Sequence, residues 1–141
     1  MKLSINNFLN FRNRTEITQK DGIKYTDEIN DNNIVIKHTE YDYENDRFIR
    51  CDKFDDDGNP VENWWFEYFE NGQKEFFNSK DEVYTRTRTD EQVGDLQVRT
   101  EKYESKFRPE NNYIYEIVRD WSGKMLSFIC NGKDLMKEQE R

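Results

Sequence analysis

The sequence predicts an all-β fold, an antiparallel meander of stacked hairpins, from three observations. Apolar and polar residues alternate with a period of two along most of the chain after Asn32. Turn-forming residues separate these alternating segments at short intervals. No segment has the long apolar stripe of an amphipathic helix, so any helix is minor and near a terminus. The same pattern fits an extended sheet, a sandwich or a barrel-like closure.

The clearest part of the pattern is residues 54–77, where two predicted turns flank a strand rich in aromatic residues. The turns are Asp57-Gly58-Asn59-Pro60 and Glu70-Asn71-Gly72-Gln73. The strand at 61–69 alternates its rings between two faces, with Trp64, Phe66 and Tyr68 on one and Trp65 and Phe69 on the other. Large rings on both faces indicate a central strand or an exposed aromatic surface.

Other strands are predicted on each side of this segment. Alternation before it predicts strands at 34–39 and 48–53, joined by a turn at 43–46. Alternation after it predicts strands at 74–77, 83–89, 96–103, 113–120 and 125–130, with a turn or short loop at 90–95.

The two ends of the chain are less regular. Residues 1–31 form a poorly defined N-terminal segment, either a strand followed by a turn of helix or two short strands around Lys20-Asp21-Gly22. Residues 133–141 form a charged C-terminal tail that makes one helical turn or frays. The length of 141 residues predicts a single β-rich domain, 1–141.

The net charge of −8 is concentrated in one segment. Between Glu40 and Glu70 there are eleven acidic and three basic residues, whereas the rest of the chain holds nineteen of each sign. An acidic segment disfavours direct nucleic-acid binding, because phosphates need clustered Lys and Arg. It suits a basic protein partner, although a solvated face that only promotes solubility has the same composition.

Residues that carry catalysis or bind metals are scarce. The single histidine, His38, lies in an alternating strand, and neither Cys51 nor Cys130 belongs to a CxxC pair. We expect a satisfied or surface histidine, two small buried thiols whose pairing stays open, and no cofactor, metal or catalytic residue. The run Asp55-Asp56-Asp57-Gly58 fails as an EF-hand, because the twelfth position is Trp64 instead of Glu. An Asp-stabilised turn explains it better.

Two further expectations concern the location of the protein and its basic residues. No stretch is long and apolar enough for a membrane span, and the N-terminus lacks a secretory signal, so we expect a cytoplasmic protein. Tyr84, Arg86 and Arg88 share one face of the 83–89 strand. With Arg99 and Tyr103 they suit an anionic ligand, but cross-strand pairing with Glu101 and its neighbours is the preferred explanation.

One segment resembles a known family. Trp65-Phe66-Glu67-Tyr68-Phe69-Glu70-Asn71-Gly72-Gln73 is similar to the unit of MORN repeats, in particular the short bacterial MORN-like antitoxins, W-x-x-Y-[YF]-x-N-G-x. Weaker echoes occur at 55–59 and 120–126. The resemblance implies stacked hairpins, with glycine supplying the turn and aromatics the stacking face, and antitoxin-like function. The steady period of a MORN array is absent, because the turn glycines are irregularly spaced.

These observations predict a non-catalytic inhibitor of the immunity, antitoxin or phage anti-defence type that docks on a basic nuclease or nucleic-acid-binding surface. The predicted partner-binding residues are the carboxylates of the acidic segment and two aromatic anchors: Glu40, Asp42, Glu44, Asp46, Asp55, Asp56, Asp57, Glu62, Trp64, Trp65, Glu67 and Glu70. Reversing Asp55, Asp56 and Asp57 to Lys is expected to abolish partner capture with the fold intact. The alternatives are a small β-barrel ligand-binding or structural module and, more remotely, a carboxylate-dependent hydrolase.

Overall fold

The computed structural model describes residues 13–139. Within them, eleven strands form a sheet whose strand order is the chain order. The all-β class and the antiparallel meander are as predicted. The strands are β1 Asn13–Lys20, β2 Ile23–Asn30, β3 Val35–Asp42, β4 Arg47–Phe54, β5 Pro60–Phe69, β6 Gly72–Ser79, β7 Val83–Val93, β8 Leu96–Ser105, β9 Tyr113–Arg119, β10 Met125–Cys130 and β11 Lys133–Asp134.

At the N-terminal side, the alternative with two strands is the correct one. β1 and β2 pair along their full length around Asp21-Gly22, whose φ angles of 54° and 82° give the two left-handed residues that a tight hairpin requires. Asn131-Gly132 makes the same turn between β10 and β11, at 52° and 79°. The predictions for residues 1–12 lie outside the described residues.

The C-terminal tail contains the expected helical turn, α1, at Leu135–Gln139. The short strand β11 before it was not predicted. The prediction for 90–95 was wrong in part, because β7 continues to Val93 and only Gly94 and Asp95 form the turn. Asp90 stays in the strand since it lies opposite Arg99, and the two side chains bond at 2.7 Å.

Gly72 is required for a different reason from the one that the MORN resemblance implies. Its φ is not positive, and the turn residues are Glu70 and Asn71. A Cβ atom on Gly72 would meet the carbonyl oxygen of Arg88 well inside van der Waals contact and the Cα of Thr89 at 2.9 Å. Glycine therefore allows the close approach of two backbones.

The described chain forms two compact units. The first unit comprises residues 13–66 with 78–80, and the second comprises 67–77 with 81–139. Whether the chain is one domain stays a prediction. Among the described residues, the buried apolar side chains are Ile29 and Cys51 in the first unit and Ile117 in the second. Because so little apolar surface is fully buried, contacts between neighbouring strands must supply much of the stability.

Candidate functional site

One face of the first unit carries a row of polar side chains. Residues opposite each other in an antiparallel sheet point to the same face, so the register of β1 to β5 aligns them. We call these five residues the histidine row: Glu16, Asp27, His38, Asp52 and Asn63.

His38 is held between two carboxylates. Its Nδ1 lies 2.6 Å from Oδ1 of Asp27, and its Nε2 lies 2.7 Å from Oε2 of Glu40. Burial alone would lower the pKa of His38, but the hydrogen bonds and negative charges of the two carboxylates outweigh it and raise the pKa above 6.5. The sequence-based expectation of a satisfied histidine is confirmed.

Asp52 continues the row on β4. Its Oδ1 accepts a hydrogen bond of 2.8 Å from Nδ2 of Asn63, and its Oδ2 lies 3.3 Å from Nε of Arg50. The Arg50 guanidinium also covers the ring of Trp65, 5.3 Å from the centroid. A pocket of about 430 Å³ beside the row combines Asp27, His38 and Asp52 with an apolar wall of Ile34, Val35 and Phe54.

Two turns of the first unit, 30–34 and 55–59, share one geometry. In the first, Oδ1 of Asn30 accepts the backbone N–H groups of Asn32 and Ile34, both at 3.0 Å. In the second, Oδ1 of Asp55 accepts the N–H groups two and four residues ahead at 3.0 and 2.9 Å. The left-handed residue of each turn is Asn33 or Gly58. The Asp-stabilised turn predicted for the run Asp55-Asp56-Asp57-Gly58 is therefore confirmed, whereas Pro60, which was predicted as part of a turn at 57–60, is the first residue of β5.

Asn30 also joins the two turns. It is only 6% exposed, and its Nδ2 donates a 3.0 Å hydrogen bond to the carbonyl oxygen of Asp56. The two turns together hold four carboxylates, which we call the acidic edge: Asp31, Asp55, Asp56 and Asp57. Arg14 contacts this region by donating to Oδ1 of Asn33, and it is also paired with Glu16 at 3.3 Å.

The members of the acidic edge have different roles. Asp55 uses both carboxylate oxygens within its own turn, and the hydrogen bond from the backbone of Asn59 is the main cause that holds its pKa below the usual range. Asp56 and Asp57 are exposed at the turn surface. Asp31 was not among the predicted binding residues, because its turn, NDNNI, contains no glycine to mark it.

Among the other predicted binding residues, Asp42 is buried. Its carboxylate accepts the backbone and side-chain N–H groups of Asn45 at 3.1 and 2.8 Å, so it stabilises the 43–46 turn. Glu44 and Asp46 are exposed in that turn, and Asp46 accepts the hydroxyl of Tyr41. Asp42 is therefore a structural residue in this geometry.

The predicted aromatic anchors lie on opposite faces of β5, as their alternation indicated. Trp64 packs against Phe48 and Phe66, with ring centroids 4.8 and 5.7 Å away. Trp65 lies on the face of the histidine row.

Glu62 pairs with Lys53 at 3.4 Å, while Glu67 and Glu70 belong to the second unit and are exposed. The predicted binding residues of the first unit are thus divided between two faces, and a single flat partner surface meets only some of them.

The second unit carries a continuous series of contacting rings on one face. We call it the aromatic stack: Phe77, Tyr84, Tyr103, Tyr113, Tyr115 and Phe128, with successive centroids 5.2, 5.2, 5.4, 5.9 and 5.7 Å apart. The rings join β6 to β10, so neighbouring strands are held together without a second layer of side chains.

Three arginines of the second unit, on β7 and β8, lie close to carboxylates. Arg86 bonds to Glu75 at 3.1 Å and covers the rings of Tyr84 and Tyr103. Arg99 bonds to Asp90 at 2.7 Å, and Nε of Arg88 lies 4.0 Å from the same carboxylate. Cross-strand pairing is therefore the correct explanation of this face. Glu75 and Asp90 bond to the arginines directly, while Glu101 lies opposite Arg88 in the register and adds its negative charge near Arg86 and Arg99.

Residues 13–139 also contain possible metal ligands and thiols outside the two faces described above. No group of three or more His, Cys, Asp or Glu in that range is arranged to hold a metal ion. Cys51 and Cys130 are both free thiols. No helix in the described part of the chain is long and apolar enough to cross a bilayer.

Comparisons of this chain with protein-family models, curated proteins and solved structures found no match.

Proposed function

We propose that this protein is a non-catalytic cytoplasmic inhibitor that blocks a basic surface of another protein. It acts in the manner of an immunity protein, an antitoxin or a phage-encoded inhibitor of a defence nuclease. The observation that carries the proposal is the acidic edge. Two turns of the same geometry, joined by the hydrogen bond from Asn30 to the Asp56 carbonyl, carry four carboxylates, and neither turn contains a lysine or arginine.

The acidic edge is well suited to this task because its backbone is fixed before a partner arrives. Asn30 and Asp55 satisfy the turn N–H groups internally, so binding costs little further ordering of the two turns. The exposed carboxylates of Asp31, Asp56 and Asp57 remain directed to solvent, where they accelerate encounter with a positively charged surface.

The strands β4 and β5, which flank the 55–59 turn, carry the apolar part of the interface. The cluster of Phe48, Trp64 and Phe66 is only partly covered, and partly exposed tryptophan is a common binding anchor. Kinship with MORN-like antitoxins, suggested by residues 65–73, is part of the same proposal.

The test is a charge reversal that spares the turn. Asp55→Lys would remove the acceptor of the 55–59 turn, so the triple variant takes Asp31→Lys, Asp56→Lys and Asp57→Lys. The matched control makes the same change in net charge at three exposed residues of the second unit, Glu91→Lys, Asp95→Lys and Glu110→Lys.

The wild-type protein is immobilised on a resin and incubated with an extract of its native host. We expect it to retain a basic protein that elutes at high salt. Mass spectrometry identifies the eluted protein. The edge variant should lose that protein, and the charge-matched control should keep it. Circular dichroism and thermal melting verify that both variants are folded. Retention of the same partner by the edge variant, with unchanged salt dependence, would contradict the proposal.

A further inference from the structure

The contacts of His38 require a particular protonation state. A carboxylate only accepts hydrogen bonds, and both ring nitrogens of His38 lie within 2.7 Å of carboxylate oxygens. Neutral imidazole has one N–H group and could serve only Asp27 or Glu40. The imidazolium has two N–H groups and serves both.

We propose that His38 is a proton-controlled latch between β2 and β3 of the first unit. The protonated ring joins Asp27 on β2 to Glu40 on β3. Loss of the proton releases one carboxylate and makes this face of the sheet more negative by one charge. The latch stands apart from the proposed function, because it does not require a partner at the acidic edge.

The groups around His38 come from every neighbouring strand. β2 contributes Asp27 and the ring of Tyr25, whose centroid lies 6.3 Å from that of His38, and β3 contributes Glu40. β4 contributes Asp52, directly opposite His38, and the Arg50 that pairs with it. At the ends of the row, β1 adds Glu16, paired with Arg14, and β5 adds the neutral Asn63. Asp27 and Glu40 favour the imidazolium, while the charge of Asp52 is offset by Arg50, which also lies directly opposite Glu40 in the register.

The direction of the pH effect follows from the raised pKa. Such a group stabilises the folded state below the pKa of the unfolded chain, near 6.5, and its contribution is lost as pH rises through the folded-state value. The latch is therefore closed in mildly acidic solution and opens with increasing pH.

The protonation of His38 can be measured directly, since His38 is the one histidine of the sequence. A proton NMR titration of the ring Hε1 in the intact, unmodified protein should give a midpoint above 6.5. Asp27→Asn and Glu40→Gln should each move the midpoint down. The control is Glu28→Gln on the opposite face of β2, where residue 28 lies opposite Lys37, and it should leave the midpoint nearly unchanged.

Amide hydrogen exchange supplies a second readout that needs no variant. After correction for the intrinsic pH dependence of exchange, amides of β2 and β3 should lose protection several-fold as pH crosses the His38 midpoint. Amides of β8 and β9 should not. A wild-type midpoint at or below 6.5, an unchanged midpoint in both carboxylate variants, or constant protection of β2 and β3 across the midpoint would each overturn the latch.

Discussion

The two units of this chain stabilise antiparallel strands by different chemistry. In the first unit, side-chain hydrogen bonds of the histidine row join β2 to β3 and β4 to β5, and Asn30 and Asp55 fix the turns. In the second unit, the aromatic stack crosses β6 to β10, and the guanidinium of Arg86 lies over the rings of Tyr84 and Tyr103. A sheet with few buried apolar residues can therefore be held together by polar or by aromatic cross-strand contacts.

The difference has consequences for function. Polar contacts leave the first unit charged, hydrated and sensitive to pH, which suits a surface that meets another protein. The aromatic stack uses its ring faces and hydroxyl groups internally, with Tyr84 bonded to Glu75 and Tyr113 to Glu101. We accordingly expect the structure of the second unit to depend less on pH and salt than that of the first unit.

The largest effect is expected at the closest backbone approach, in the second unit. Gly72→Ala places a methyl group against the Arg88 carbonyl, and relief requires the strands to separate, at a cost of about 3 kcal/mol or more. Gly94→Ala is the control, since no atom lies within 4 Å of its added Cβ. Only its φ of +61° opposes the substitution, which should lower the free energy of unfolding by about 1 kcal/mol. Urea denaturation measures both. Equal losses would refute the requirement for close approach.

The next largest effect is expected when the side chain that stabilises the same type of turn is removed in each unit. Asp120 binds the backbone N–H groups of Ser122 and Lys124 at 2.9 and 3.0 Å, as Asn30 does in its own turn. Asn30→Ala should lower the free energy of unfolding by about 2–3 kcal/mol. The Asn30 side chain is buried, and its removal leaves two backbone N–H groups and the Asp56 carbonyl without their present partner. Asp120→Ala, at a more accessible site, should cost about 1 kcal/mol. Thermal melts of both variants test the ranking, which would be wrong if Asp120→Ala were the more harmful.

The smallest effect concerns the hydroxyl groups of the aromatic stack. Tyr113→Phe keeps the ring but removes the 2.6 Å hydrogen bond to Glu101, which should cost about 1 kcal/mol. Burial, together with the adjacent Glu101, raises the pKa of Tyr113 to about 12. Because the folded-state value is raised, this contribution is intact below pH 10 and disappears between pH 10 and about 12.

Alkaline denaturation of the wild type and of Tyr113→Phe tests the direction of this pH dependence. Tyrosinate absorbance is followed in parallel. The stability difference between the two proteins should shrink across that range. A difference that stays constant to pH 12 would show that the hydroxyl contributes nothing through its protonation.

Alternation alone was sufficient to predict most strands and which side chains share a face. The opposite faces of Trp64 and Trp65 and the shared face of Tyr84, Arg86 and Arg88 required only the period of two and no knowledge of strand pairing. The turn at 55–59 was also predictable, because Asp and Gly there have strong local preferences.

The candidate site was less predictable because it depends on register. Asp27, His38 and Asp52 align only after two hairpins and their irregular pairings are known, including the shift between Glu40 and Tyr41. Local sequence predicted Asp55 both as a turn residue and as a binding carboxylate, and only the geometry shows that both of its oxygens are used within the turn. The need for Gly72 arises from a strand that lies sixteen residues further along the chain.

The central claim, that the acidic edge binds a basic partner, is tested most directly by the salt dependence of affinity. Calorimetry with the captured partner would compare the wild type, the edge variant and the charge-matched control between about 50 and 200 mM salt, a range over which exposed charges are progressively screened. If the acidic edge is the binding surface, the edge variant alone should bind at least tenfold more weakly and show a shallower salt dependence. Equal losses in the edge variant and the control would show that net charge is responsible, and would contradict a specific acidic edge.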